Sequence, residues 1–316
     1  MTLVTSRKEI RGAAIEIGTN SVKYFLGKVI EKNRIRKIGQ GVEITRLGKG
    51  LQPGGFLRED SIECTLSTVG KFRDIAQKEG IDDIIVFGTH ALRISKNSDY
   101  FIERVRKELG LDVEVLPGDR EAHLTRVGVL LDFPSEKGRE PVIIDIGGGS
   151  TEVIMGICTK SIPIGCVNLT ETMIHTDPPD KESLIRLHAR IRDHFIEEIT
   201  FLNPGHKTDC VGVGGTIVTL AMLSLGIKEF CPDKIQGVEI REETIKEIFS
   251  ILTNMNLEER KELIQFNPDR ADVIIAGMAI LQAFFSFIST YRFTVSIYNI
   301  IHGKFYDYYS RKFFES

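Results

Sequence analysis

The stretch Pro141–Gly156, PVIIDIGGGSTEVIMG, places two short apolar runs on either side of three consecutive glycines. Such a pattern is typical of two β-strands joined by a tight turn. Glycine lets backbone N–H groups approach a ligand closely, and successive N–H groups form a concave site that suits phosphate oxygens. Asp145 and Glu152 flank the turn, which suits a divalent cation held between carboxylate and phosphate. A hairpin without function is the alternative interpretation.

A second copy of this pattern lies near the start of the chain. Ile15–Ser21, IEIGTNS, aligns without a gap with Ile144–Ser150, IDIGGGS. Both copies place an acid, Glu16 or Asp145, two positions before the first glycine. Two similar hairpins in two half-chains predict a duplicated α/β domain with a ligand in a cleft between the copies. Chance similarity between short strand–turn–strand segments is the alternative.

The composition predicts a globular protein of about two domains. The chain has 316 residues, of which 42% are hydrophobic and 27% charged, and its net charge is −3. This charge gives no basic field for nucleic acid or an anionic membrane, so neither is expected as a partner. Five cysteines without a C-x-x-C pair predict a reducing, cytoplasmic compartment. The N-terminal residues contain no apolar leader, and no span of about 18 apolar residues occurs, so neither secretion nor membrane insertion is expected.

A third glycine turn occurs in Asp209–Thr216, DCVGVGGT, which reads as a strand followed by a turn. The apolar helix predicted over Ile217–Leu225 would direct its N-terminus at an anion. None of the three turns is a P-loop, because no G-x-x-x-x-G-K-[ST] occurs. A dinucleotide fingerprint is excluded at the second turn, where Glu152 stands in place of the last glycine. The actin, hexokinase and sugar-kinase type of fold remains, in which each of two duplicated domains offers a hairpin to phosphate.

The remaining pattern predicts alternating strands and helices, with domains over residues 1–133 plus 300–316 and over residues 134–299. A polar, turn-rich segment separates the two halves. The predicted elements that matter most below are helices over Glu59–Lys78, Asp119–Leu131, Lys181–Phe201 and Arg270–Phe287, a strand over Asp83–Gly88 and a terminal helix over His302–Phe314.

At this point the chain resembles a known family. It is similar to the exopolyphosphatase and guanosine pentaphosphate phosphatase family, in its short two-domain form, and the matching stretches follow one another in the expected order over nearly the whole chain. These stretches are Ile15–Ser21, Thr45–Leu51, Gly88–Arg93, Glu121-Ala122, Asp145–Glu152, Pro163–Glu171, Gly212–Thr216 and Arg270–Gly277.

The resemblance implies an actin-like (ribonuclease H-like) duplicated fold and hydrolysis of a terminal phosphoanhydride. The implied substrates are inorganic polyphosphate or pppGpp, which would be converted to ppGpp, with Mg²⁺ or Mn²⁺ as cofactor. Glu121 would deprotonate the attacking water, and Arg93 would clamp a phosphate with its guanidinium fork. The metal would be held by Asp145, Glu152 and Glu16. The phosphates would be cradled by Thr19, Asn20, Ser21, Gly147, Gly148, Gly149, Ser150, Gly214, Gly215 and Thr216.

Several positions depart from the family pattern and leave substrate preference open. Glu16 stands where the family usually has Asp, and Gln236 where it usually has His. In the terminal motif, Asn299 replaces a glycine and Ile301 replaces an arginine. Arg126 replaces an aromatic residue on the predicted Glu121 helix.

Two other functions stay open at this stage. A small-molecule kinase of the same fold would need an adenosine pocket, for which the sequence gives no clear signal. A regulatory module that binds (p)ppGpp or polyphosphate without turnover is favoured by the altered terminal motif. For Glu121 and Arg93 the plain alternatives are a helix-dipole carboxylate and a surface ion pair. The aromatic and basic terminal helix would suit a homodimer interface, or would pack against the first domain.

Overall fold

The chain forms two compact units that share one strand topology. The computed structural model describes residues 9–133, 141–202, 209–288 and 290–315. Within this part of the chain, unit 1 contains residues 9–47, 52–133 and 298–315. Unit 2 contains residues 48–51, 141–202, 209–288 and 290–297. Residues 48–51 therefore belong to unit 2, although the residues on both sides of them in the sequence belong to unit 1.

Unit 1 is built on a five-stranded mixed sheet with the strand order β3-β2-β1-β4-β5. The first three strands are antiparallel, whereas β4 and β5 run parallel to β1. Its strands are β1 (Ile10–Ile17), β2 (Ser21–Glu31), β3 (Arg34–Ile44), β4 (Ile84–Gly88) and β5 (Val113–Val115), and its helices are α1 (Glu59–Lys78), α2 (His90–Ile94), α3 (Ser98–Leu109), α4 (Gly118–Leu130) and α12 (Ile300–Glu315).

Unit 2 is built on a six-stranded mixed sheet with the strand order β10-β11-β9-β6-β7-β8. A short 3-10 helix, Pro268–Arg270, precedes its most buried helix. Its strands are β6 (Val142–Ile146), β7 (Thr151–Met155), β8 (Cys158–Ile162), β9 (Cys210–Val213), β10 (Glu239–Arg241) and β11 (Arg292–Val295), and its helices are α5 (Cys166–Met173), α6 (Lys181–Glu198), α7 (Gly215–Leu225), α8 (Pro232–Ile235), α9 (Glu242–Thr253), α10 (Leu257–Leu263) and α11 (Ile274–Ile288).

The two sheets confirm the predicted duplication. In each unit three antiparallel strands come first in the chain, and two further strands then extend the sheet beside the first of them. The order 3-2-1-4-5 of unit 1 therefore recurs in unit 2 as β8-β7-β6-β9-β11, with β10 added at the edge. The predicted α/β fold, with two copies of one mixed-sheet topology, is correct.

A pair of glycines fixes the two helices of unit 1 that matter for the site. A Cβ atom on Gly303 of α12 would lie 1.8 Å from the carbonyl oxygen of Leu124 in α4. A Cβ atom on Gly128 of α4 would likewise lie 2.1 Å from the carbonyl oxygen of Asn299. Arg120 and Asp307 join the same two helices by an ion pair of 2.6 Å. Because both contacts exclude side chains, α4 and α12 pack at backbone distance.

The core of unit 2 corrects one predicted boundary. The apolar stretch predicted as a helix over Arg270–Phe287 is buried as expected, but α11 begins only at Ile274. Pro268–Arg270 forms a separate 3-10 turn. It begins with a proline, which has no backbone N–H to donate to a preceding carbonyl. Arg270 thus lies in a turn and not in the helix. Among the described residues, no helix is both long and apolar enough to cross a lipid bilayer.

Candidate active site

The two predicted hairpins form the same backbone turn. In unit 1 the N–H of Gly18 donates to the carbonyl of Ser21 at 2.9 Å. In unit 2 the N–H of Gly147 donates to the carbonyl of Ser150, also at 2.9 Å. A Cβ atom on Gly18 or Gly147 would lie within 3.0 Å or 2.9 Å of that same carbonyl oxygen. A side chain at either position would crowd the carbonyl that closes the turn, so glycine favours this tight geometry.

In unit 1 the hairpin acid is paired with a lysine. Glu16 on β1 lies directly across from Lys23 on β2, and Lys23 Nζ donates to Glu16 Oε1 at 2.8 Å. The Glu16 side chain is only 6% exposed. Its second oxygen, Oε2, is buried without a hydrogen-bond partner among the described residues. The structure thus gives Glu16 one internal counter-charge and one unsatisfied oxygen, while its predicted role as a metal ligand stays a prediction.

In unit 2 the equivalent position holds a second acid. Asp145 on β6 lies directly across from Glu152 on β7. Residues paired in this way share one face of a sheet, with Cβ atoms about 4.5–5.5 Å apart. Glu152 is buried, and its Oε1 accepts a hydrogen bond from Ser161 Oγ at 2.7 Å. Two carboxylates therefore stand side by side at the second hairpin.

The third glycine turn lies against the first of these carboxylates. β9 runs parallel beside β6 and is followed by Gly214, which has a φ of +97°. A Cβ atom there would lie 2.8 Å from Asp145 Oδ1, so the glycine makes room for the carboxylate. Gly215 and Thr216 then open α7, whose first N–H groups have no partner within the helix. The structure thus brings together four predicted elements in unit 2: Asp145, Glu152, the glycines of the hairpin and the start of α7.

Arg270 is a candidate site residue that the sequence analysis missed. A Cβ atom on Gly215 would lie 1.9 Å from Arg270 Cζ, so the guanidinium occupies the space beside this glycine. The residue is 8% exposed. Burial lowers the pKa of Arg270 below its usual value, while the nearby Cys166 and Asp272 act in the opposite direction. A buried cation at the start of a helix suits an anion. The signal for Arg270 in the sequence was an arginine directly before a long apolar stretch.

The predicted base and clamp of unit 1 contact each other. Glu121 lies in the first turn of α4, 8% exposed. Arg93, in the last turn of α2, donates from Nη1 to Glu121 Oε2 at 2.9 Å and to the carbonyl of Leu116 at 2.8 Å. Both bonds use one nitrogen, and Nε and Nη2 make none within the described ranges. The pair is formed because α2 follows β4 and α4 follows β5, and these strands are neighbours in the sheet.

Two histidines near this pair are neutral at pH 7. Burial, with a smaller contribution from Arg93, lowers the pKa of His90 to about 4. Burial and then the charge of Arg120 lower the pKa of His123. His90, which lies three residues before Arg93, is therefore a neutral imidazole at pH 7.

Comparison with known proteins decides the family. A profile described as the Ppx/GppA phosphatase family matches residues 29–312 of this chain. The chain belongs to this family.

Other Ppx/GppA proteins resemble the chain over nearly its whole length. The crystal structure of the Aquifex aeolicus family member is 29% identical, with a TM-score of 0.80, and the match covers 96% of this chain and 99% of that one. A protein named exopolyphosphatase 2 from Mycobacterium tuberculosis is 27% identical over 284 residues, or 86% of this chain and 89% of that protein. A bifunctional 3-dehydroquinate synthase/phosphatase from Fusobacterium nucleatum is 32% identical over 287 residues. That match covers 85% of this chain, which spans only 42% of the longer relative.

Three positions that depart from the Ppx/GppA pattern have structural roles here. Asn299 Oδ1 accepts from the N–H of Ile301 at 3.2 Å, so the side chain supports the start of α12. Ile301 is 3% exposed and packs in the apolar core of unit 1. Gln236 Oε1 accepts from the N–H of Ile297 at 2.7 Å and closes a loop of unit 2. These three residues are used by the fold itself.

The residues of the site fit a divalent cation that keeps part of its water. Among the described residues, no three His, Cys, Asp or Glu side chains gather closely enough to hold a metal ion by themselves. Asp145 and Glu152 supply two neighbouring carboxylates, and like charges this close favour a bound cation. Mg²⁺ characteristically takes one or two carboxylates and completes its shell with water and substrate phosphate. The donor set therefore fits Mg²⁺ or Mn²⁺ better than Zn²⁺, for which nitrogen and sulfur ligands are usual.

Proposed function

We propose that this protein hydrolyses phosphoanhydrides and releases the terminal phosphate of inorganic polyphosphate. The observation that carries the proposal is the buried Glu121 held by Arg93 at 2.9 Å, which is a base candidate fixed in place by a cation. The relatives named exopolyphosphatase, matched over more than four fifths of both chains, support the choice of polyphosphate.

The chemical step assigns Glu121 to the attacking water. Glu121 accepts a proton from the water as the water oxygen forms a bond to the terminal phosphorus. The bridging P–O bond then breaks, and its electron pair stays on the shortened chain, which leaves as a phosphate anion. Arg93 keeps the carboxylate in one orientation through Nη1, and its other N–H groups suit the oxygens of the transferred phosphoryl group.

Each unit by itself offers fixed donors that suit the charge on phosphates. The turns Gly18–Ser21 and Gly147–Ser150 present backbone N–H groups, and the N-terminus of α7 presents those of Gly215 and Thr216. The buried Arg270 places a positive charge beside this helix start. Such fixed donors stabilise charge without reorganising during the reaction, which is the usual basis of phosphoryl-transfer catalysis.

Mg²⁺, or Mn²⁺ in its place, is the cofactor we propose for the carboxylates Asp145 and Glu152. When bound, such an ion neutralises the charge that develops on the phosphate oxygens. For Glu16, the third predicted ligand, Oε1 is engaged with Lys23 and Oε2 is the oxygen left for a cation. The cofactor proposal predicts that activity is lost on treatment with EDTA and returns on addition of the ion.

A second proposed substrate is pppGpp, which would be converted to ppGpp by the same step. The family description, which names both kinds of phosphatase, supports it. A cytoplasmic location is proposed with it, because the five cysteines are free thiols, which suits a reducing compartment. The substrates can be separated by one experiment.

The test measures phosphate release with Mg²⁺ from long-chain polyphosphate, pppGpp and ATP in parallel. The variant Glu121→Gln should fold and bind substrate but lose about 10²–10⁴-fold in turnover, the usual contribution of a general base. Asp119→Asn is the matched control, since Asp119 is an exposed acid in the same first helical turn. Equal losses of turnover in both variants would mean that Glu121 acts only as an acid that stabilises the start of the helix. Wild-type turnover in Glu121→Gln would exclude Glu121 as the base.

Binding without turnover is the second candidate function. The observation that favours it is Ile301, which fills a core position where the family usually has an arginine. Tight binding of polyphosphate or (p)ppGpp by the wild type, with no release of phosphate from any of the three compounds, would support this alternative and overturn the hydrolase.

A further inference from the structure

Three buried polar atoms lie unsatisfied around the first hairpin. They are Glu16 Oε2, Asn20 Nδ2 and Thr45 Oγ1, none of which has a hydrogen-bond partner among the residues that the structure describes. The three residues are 5%, 8% and 5% exposed. Water therefore has little access to these atoms, and each buried group without a partner is costly.

The backbone brings two of these residues to one end of the sheet. Ser21 and Ile44 form the last pair of the β2–β3 ladder, so Asn20 and Thr45 flank it on the two strands. The carbonyl of Asn20 accepts the N–H groups of both Thr45, at 3.1 Å, and Arg46, at 3.0 Å. The turn at Thr45 is thus fastened directly to the hairpin that carries the proposed phosphate donors.

Arg46 adds backbone strain to the same turn. Its φ is +52°, a left-handed conformation that non-glycine residues rarely adopt. Strained residues and unsatisfied buried polar groups cluster where a protein is organised for a ligand and not only for its own stability. Both features meet here within one turn.

The chemistry of the three atoms indicates a phosphate group. The Asn20 amide nitrogen only donates, and the Thr45 hydroxyl can donate, so both suit the oxygens of an anion. The carboxylate of Glu16 would repel an anion, but Lys23 neutralises it at 2.8 Å. The unsatisfied Oε2 can accept from a water of the phosphate's hydrated cation.

We propose that the turn Thr45-Arg46 is a phosphate-binding element. The Thr45 hydroxyl and the Asn20 amide donate to oxygens of one phosphate group of the substrate chain, and the strained Arg46 backbone sets the position of Thr45. The inference rests on the proposed function for its substrate, and it adds Thr45 and Arg46 to the residues that hold it.

The test separates a hydroxyl reserved for a ligand from one used by the fold. Thr45→Val keeps the shape of the side chain and removes the hydroxyl, whereas Thr45→Ser keeps the hydroxyl. Each is made in a Glu121→Gln background, and binding of tripolyphosphate with Mg²⁺ is measured by calorimetry. We expect Thr45→Val to weaken binding about tenfold, as for a hydrogen bond to a charged group, and Thr45→Ser to bind nearly as the parent does.

Stability without ligand supplies the second readout. Because Thr45→Val removes an unsatisfied buried hydroxyl, the Tm of the ligand-free protein should stay constant or rise by as much as about 4 °C. Ser95→Ala is the matched control, since Ser95 Oγ is another buried hydroxyl without a partner in the described part of unit 1. It should leave the affinity for tripolyphosphate unchanged.

Three results would overturn the inference: unchanged affinity in Thr45→Val, a fall of several degrees in its ligand-free Tm, or no binding of tripolyphosphate by the parent. The proposed function fails separately. If the wild type releases no phosphate from polyphosphate while Thr45→Val still weakens tripolyphosphate binding, the phosphate-binding turn stands and the hydrolase falls.

Discussion

Across the strand from the hairpin acid stands Lys23 in unit 1 and Glu152 in unit 2. Both partners are seven residues after their acid, and both hairpins close with the same 2.9 Å bond between glycine N–H and serine carbonyl. One backbone turn therefore carries an acid paired with a lysine in one unit and two acids in the other.

We propose that this difference divides two tasks between copies of one motif. The pair Glu16–Lys23 has no net charge, so the first hairpin can approach a phosphate without repelling it. Two neighbouring acids such as Asp145 and Glu152 suit a divalent cation. On this proposal, a duplicated turn gains a second function through one side chain, with no change in its backbone.

Among changes to the two hairpins, the largest effect is expected from Glu152, one member of the acidic pair. Glu152→Gln should lower kcat roughly 100-fold, or about 2.7 kcal/mol of transition-state stabilisation, and raise the Mg²⁺ concentration needed for half activity. The Ser161 bond survives, because the glutamine retains a carbonyl oxygen. Phosphate release is measured against Mg²⁺ concentration, with Glu16→Gln as the equivalent change in unit 1. Equal losses in the two variants would contradict the division of tasks.

Breaking the neutral pair should affect stability before activity. Lys23→Met leaves the buried carboxylate of Glu16 without its counter-charge, which should cost about 2–3 kcal/mol in the free energy of unfolding. This cost is expected at or below the lower end of the range of about 3–5 kcal/mol for breaking a fully buried ion pair. The reason is that the Lys23 side chain is 25% exposed. Urea denaturation tests this, and Lys23→Met/Glu16→Gln should recover at least half of the loss. No recovery in the double variant would show that the charge pairing is not the cause.

Acid should weaken unit 1 through a buried histidine that packs on its sheet. The ring of His302 lies 4.7 Å from Phe25 and 4.6 Å from Tyr298, and burial, then Lys23 and Lys37, lower its pKa to about 3. The unfolded chain takes up this proton near its ordinary pKa of about 6.5, whereas the folded protein does not. Stability is therefore complete above that value and is lost as the pH falls, by about 2 kcal/mol between pH 7 and 5.

The matched variant is His302→Phe, which keeps an aromatic ring and cannot titrate. Urea unfolding at pH 7 and pH 5 should show a smaller loss on acidification in this variant than in the wild type. The same loss in both proteins would assign the acid sensitivity to other groups, among which His90 also has a pKa lowered by burial.

The smallest expected effects test what the two hairpins share. Gly18→Ala and Gly147→Ala would each place a methyl group about as close to the carbonyl that closes the turn, at 3.0 and 2.9 Å. Each should cost about 1 kcal/mol in the free energy of unfolding, the lower end of the range for overpacking. Urea denaturation of the two variants measures this, and a difference of more than about 1 kcal/mol would mean that the turns are not equivalent.

The sequence predicts the duplicated hairpins and the α/β fold because both depend on local patterns. Alternating apolar runs, glycine turns and the gapless match of Ile15–Ser21 with Ile144–Ser150 were enough to indicate two copies of one sheet. The cross-strand partners of Glu16 and Asp145 could also have been predicted from the sequence. A hairpin of this length pairs each acid with the residue seven positions later.

What the sequence did not predict depends on contacts between distant elements. Arg93 and Glu121 meet only because β4 and β5 are neighbours, which requires the strand order. Arg270 was taken for the start of a buried helix, but Pro268 leaves it in a turn beside Gly215. The unsatisfied oxygen and nitrogen atoms of the first hairpin depend on packing, for which composition and periodicity give no signal. The metal ligands, the homodimer and the roles of the site residues stay predictions.

The close packing of Gly128 against the start of α12 affects how the protein folds while it is being synthesised. Helix α4 carries the proposed base in its first turn and is translated early, whereas α12 is translated after unit 2. Chains fold as they leave the ribosome, with N-terminal regions first. Until residues 300–315 have been synthesised, α4 lacks the helix that packs against its backbone. A nascent chain therefore carries Glu121 before α4 has the helix that packs against it, and the proposed activity would begin only once residues 300–315 have been made.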